Sequence, residues 1–103
     1  MKEFKEVLQD ISCELDKAEY YAGEAKKHKY EYPDLAAVYA KVASDHKEDA
    51  NMLMRQAQEM VSRAEQEKHG EAMGMAAVYE YAEERFEVEL DAVDRKLEKY
   101  RNE

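Results

Sequence analysis

Val42-Ala43-Ser44-Asp45-His46-Lys47-Glu48-Asp49-Ala50-Asn51-Met52-Leu53 is the stretch that decides the fold. Extended both ways in alternating steps of four and three, it gives Tyr39, Ala43, His46, Ala50, Leu53, Ala57, Met60 and Ala64. That spacing is the signature of one helix face packed against other helices. Every member is apolar or small except His46. Asp49, three residues on, lies on the same side at the stripe's edge. An imidazole and a carboxylate facing a core cost several kcal/mol unless partnered. The pair therefore either holds a ligand or hydrogen-bonds across the bundle.

Working outward, the same helical pattern runs from about 33 to 68. Pro33 suits a first turn, where its missing N–H is not needed, and Gly70 just beyond the end reads as a left-handed cap. Before it, Phe4, Leu8, Ile11, Leu15, Ala18, Ala22 and Ala25 predict a first helix over about 2–30. Val7, Glu14, Tyr21 and His28 follow that stripe's edge, and Gly23 reads as a place for close helix approach. After it, Met75, Tyr79, Ala82, Phe86, Leu90, Val93, Leu97 and Tyr100 predict a third helix over about 71–101, with a local stutter near Phe86. Glu83 and Glu89 border that third stripe. The corner at Tyr32-Pro33-Asp34 is short enough to make the first two helices an antiparallel hairpin. The fold class is all-α, a single domain of three long antiparallel helices.

Composition agrees. Of 103 residues, 40% are charged, with three glycines and one proline, a profile of long helices and not of sheets. The net charge of −9 argues against nucleic acid, whose phosphates need a basic face. Cations are the more natural small partners. A single cysteine, Cys13, has no internal disulfide partner, which fits a reducing cytoplasmic setting. The opening Met1-Lys2-Glu3-Phe4-Lys5-Glu6 has no apolar leader segment, and no run approaches the ~20 apolar residues of a membrane span.

In the hairpin, Glu14 lies roughly eighteen residues before the corner, and His46 and Asp49 lie roughly thirteen to sixteen after it. Equal rise per residue puts all three at similar height. A carboxylate from one helix can then meet an imidazole and a carboxylate from the next, a donor set suited to Fe, Mn or Zn. Glu83 and Glu89 on the third helix are second-rank additions to that set.

Glu14, Ala18 and Tyr21, the corner at Pro33 and Leu35, and the acid/His pair on the second helix together resemble a ferritin-like hairpin. The chain is also similar to small ferritin-like proteins of bacterial prophage regions, through His69-Gly70-Glu71 and Ala77-Val78-Tyr79-Glu80-Tyr81. The resemblance implies a first-helix Glu and a second-helix Glu-x-x-His, with four such helices enclosing two irons. Here the second helix reads His46-Lys47-Glu48-Asp49 instead, with imidazole and carboxylate exchanged and the carboxylate shortened. A His cannot bridge two metals as a Glu does, so the expected site holds a single ion and does not run iron oxidation. One hairpin is half of a four-helix site; the resemblance and the leftover apolar faces together imply a homodimer.

A second reading stands beside this one. His46 and Asp49 form a buried polar pair bonded to Glu14, Tyr21 or Tyr39, and the chain is a non-catalytic helical interaction or accessory module without metal. Its methionine- and tyrosine-bearing faces would then dock a protein partner. No Ser/His/Asp arrangement, Gly-rich phosphate loop or cysteine cluster points to an enzyme.

Overall fold

The computed structural model describes residues 1–103 and contains three helices, α1 (Lys2–His28), α2 (Pro33–Gln66) and α3 (Ala72–Asn102). They form a rod of 56 × 18 × 16 Å. The all-helical, three-helix reading of the sequence therefore holds, with helix ends displaced by one or two residues. Lys26, Lys27 and His28 occupy the last turn of α1, where cations oppose the negative end of the helix dipole. Pro33 opens α2 after a non-helical Tyr32.

Two series with a strict spacing of seven build the hairpin. Phe4, Ile11, Ala18 and Ala25 are fully buried on α1. Ala36, Ala43, Ala50 and Ala57 are fully buried on α2, and Ala64 nearly so. A seven-residue period keeps one seam facing its partner along the whole length, and alanine lets the two backbones approach closely. The largest fully buried side chains, Phe4, Ile11, Leu15 and Val93, each contribute about 1.5–3 kcal/mol by leaving water.

α3 closes only one of the hairpin's two grooves. Its Val93 and Leu97 pack on Ala18, Ala22 and Ala43. Lys96 reaches Glu19 at 3.1 Å, Lys47 pairs with Asp94 at 2.5 Å, and the Tyr79 hydroxyl donates to the Met54 carbonyl at 3.4 Å. Lys47 and Met54 lie on one side of the α2 alanine line. Tyr39, His46, Leu53 and Met60, on its other side, are only half-buried. The stripe that opened the sequence reading thus splits: its alanines enter the core, and its larger members line the open groove.

Two glycine expectations are corrected. Gly70 does not cap α2 in the left-handed region; Lys68 does, at φ 54°. The N–H of His69 donates to the Ala64 carbonyl at 2.8 Å and that of Lys68 to the Glu65 carbonyl at 3.1 Å, the paired bonds of a Schellman motif. Gly23 does not mark a close approach either. A Cβ placed there would meet only Lys96 Nζ, at 3.9 Å.

Candidate metal centre

Near the middle of both α1 and α2, the seam brings Glu14, His46 and Asp49 together. One ligand atom from each lies within 4.8 Å of the others. His46 and Glu14 side chains are 24% and 22% exposed, and Asp49 is exposed at the lip of the groove. His46 Nδ1 donates to Glu14 Oε2 at 2.5 Å, joining residues 32 apart in sequence. A carboxylate accepts only, so the bonding hydrogen sits on Nδ1, which leaves Nε2 on the far side of the ring from Glu14. Met52 and Leu53 flank Glu14 and Asp49, making one wall of the site apolar.

The ring of His46 is held from the other side. Tyr21 lies parallel to it, 13° off plane with centroids 5.9 Å apart. Tyr21 also stacks on Tyr39 at 5.7 Å, and Tyr39 contacts His28 at 6.0 Å. His28 in turn bonds Glu24 at 3.1 Å. The open groove thus carries a continuous ladder of rings that ends in a His–carboxylate pair at each end. Of the bonding partners that the sequence offers His46, Glu14 takes the bond and Tyr21 stacks on the ring instead, while His28, expected only at the stripe's edge, joins the ladder through Tyr39. The signal was present: Val7, Glu14, Tyr21 and His28 recur every seven residues, as do Tyr39, His46, Leu53 and Met60.

Glu83 and Glu89 lie outside this cluster. Glu83 accepts a hydrogen bond from Gln58 Nε2 at 3.2 Å, on the α2–α3 side. Glu89 is half-buried, with one oxygen sealed from solvent and without a hydrogen-bond partner. Its burial, and then the nearby Asp16 and Glu19 carboxylates, push its carboxyl group above the usual range, with Arg85 opposing.

Two carboxylates and an imidazole in a half-buried groove fit one divalent ion with nitrogen and oxygen donors. Three protein donors leave further coordination positions open on the groove side. The set offers no second carboxylate able to span two metals from the position His46 occupies. Comparison with protein-family models, with curated proteins and with solved structures gave no match. No helix is long and apolar enough to cross a membrane.

Proposed function

We propose that this chain is a ferritin-like helical protein that binds a single divalent metal, Fe, Mn or Zn, through Glu14, His46 and Asp49, without oxidase turnover. The observation that carries the reading is the convergence of these three side chains from two helices within 4.8 Å. A metal entering between Glu14 and His46 takes the place of the Nδ1 hydrogen they share, and the neutral ring carries its proton on Nε2 instead. Tyr21 keeps the imidazole plane fixed, which lowers the ordering cost of binding.

The protein acts in this reading as a homodimer. Leu35, Val38 and Met52, on the same helix as the site, are 41%, 56% and 51% exposed. Tyr39, Leu53 and Met60 beside them are only half-covered. A second copy laid across this groove covers these side chains and closes the open side of the site. Titration calorimetry with Zn2+, Mn2+ and anaerobic Fe2+, on wild type and on Asp49→Asn, tests the metal reading. Stoichiometric binding that weakens in the variant supports it; equal, negligible heats in both refute it. Light scattering across a dilution series tests the dimer, and a monomer at all concentrations refutes that part.

One observation favours a second reading. The Glu14–His46 bond satisfies both groups without any ion. In that case the pair sets the register of the hairpin, and the chain is a non-catalytic interaction or accessory module of the kind the prophage resemblance implies. Its stability would then be indifferent to chelators.

A further inference from the structure

Along the open groove, the side chains follow an order that reads the same from either end. Leu35, Val38 and Tyr39 make the end near the corner apolar, and Met52, Leu53 and Met60 do so toward the far end; all are exposed or half-covered. Between them, near the middle of both helices, stand Glu14, His46 and Asp49. An apolar–acidic–apolar pattern matches a second copy of itself under a two-fold axis through its centre. Because the acidic group lies at mid-length, the two centres come opposite each other whether the paired rods run parallel or antiparallel.

That juxtaposition is unfavourable between protein groups alone. Each copy brings two carboxylates and one imidazole, so a covered pair of centres holds four carboxylates. No lysine or arginine lines this part of the groove, where Met52 and Leu53 complete the wall around Glu14 and Asp49. On α2, Lys47 is drawn off to Asp94 at 2.5 Å and Lys41 to Asp45 at 2.9 Å. Lys17 and Asp10, one turn to either side of Glu14, are both exposed and offset each other at the rim. Like charges taken out of water without counter-ions repel strongly and lose their hydration as well. One divalent ion per chain cancels all four charges.

We propose that the metal gates the dimer. Without an ion, the carboxylates of Glu14 and Asp49 keep two copies apart; with one divalent ion per chain, the grooves close on each other. The proposal rests on the metal and dimer reading above and adds the coupling between the two events. The open coordination positions on the groove side then face the partner's centre instead of bulk water.

Sedimentation equilibrium reads the coupling on full-length Cys13→Ser, because the exposed thiol of Cys13 is itself a zinc ligand. In chelator the chain should be monomeric. One Zn2+ per chain should tighten the dimer by about 100-fold, within the ordinary range of coupling between sites. Coupling is reciprocal, so zinc affinity by calorimetry should rise with protein concentration. Glu14→Gln with Asp49→Asn, at unchanged helical content, removes the charge and keeps the shape; it should dimerise in chelator and ignore zinc. Val38→Asp, in the groove but away from the donors, should bind zinc and stay monomeric, which separates a groove dimer from chains cross-linked by zinc on their surfaces. Zinc bound at one ion per chain with no change in mass overturns the coupling while the metal reading stands. The same dimer in chelator and in zinc overturns it while the dimer reading stands. A neutral double variant that stays monomeric in chelator, or a Val38→Asp chain that dimerises with zinc, also overturns it. Absence of zinc binding refutes the metal reading itself, and the proposal with it.

Discussion

Glu14 and His46 meet across the α1–α2 seam through a 2.5 Å bond between Oε2 and Nδ1, with Tyr21 stacked on the imidazole's face. The two groups satisfy each other where neither has full access to water. Removing one of them is therefore different from removing both.

Glu14→Ala should destabilise metal-free protein by about 1–3 kcal/mol, because it leaves a half-buried imidazole N–H without an acceptor. Glu14→Leu with His46→Leu should be neutral or stabilising, since two packed apolar groups replace a pair that must be desolvated. Chemical denaturation of the two variants beside wild type checks this. A double variant less stable than Glu14→Ala would show that the pair contributes more than mutual satisfaction.

Lys68 holds the left-handed position of the α2 Schellman motif without the freedom of glycine. Lys68→Gly should stabilise the protein by about 1 kcal/mol, which raises Tm by about 4–8 °C in a domain of this size. Moving glycine to the cap adds no contact, so a rise in thermal melts isolates the backbone cost. An unchanged or lower Tm would contradict the assignment.

Gly23 lies within α1, and an added methyl group there has room. Gly23→Ala should gain about 1 kcal/mol from helix propensity alone. Loss of stability on denaturation would mean that α3 sits closer to α1 than the Lys96 contact indicates.

Glu89 gives a pH dependence of definite sign. Burial raises its carboxyl in the folded chain above the ordinary value of 4.5, so the folded state holds this proton more tightly than the unfolded state. The associated stability is fully present below 4.5 and is lost as pH rises through the raised value. Glu89→Gln, which mimics the protonated form, should therefore be more stable than wild type at neutral pH and equal to it in acid. The gain should be about 1 kcal/mol, the low end of the cost of an unpaired buried oxygen. Thermal melts from acid to neutral pH read it directly, and a constant difference across that range would contradict the account.

The parts of this structure legible in the sequence are those with one period. Ala43, Ala50 and Ala57 share their spacing with Ile11, Ala18 and Ala25, so the hairpin and the height of Glu14 against His46 followed from counting. What did not follow is which groove the third helix occupies. Its stripe changes step near Phe86, and Val93 and Leu97 are buried while Ala82 and Leu90 are only half-covered. That choice leaves His46 on an open groove and not in the core. The α2 cap differs for a related reason: glycine is the usual left-handed residue, yet the last carbonyls of α2 are matched by the N–H groups of Lys68 and His69, before the chain reaches Gly70. The Tyr21–His46 stack depends on ring orientation, which spacing does not carry.

The central claim is that Glu14, His46 and Asp49 bind a metal. Elemental analysis of purified wild type and of His46→Ala, prepared side by side, tests it most directly. The account expects Fe, Mn or Zn at close to stoichiometric content in wild type and its loss in His46→Ala. The same low metal content in both proteins would contradict it.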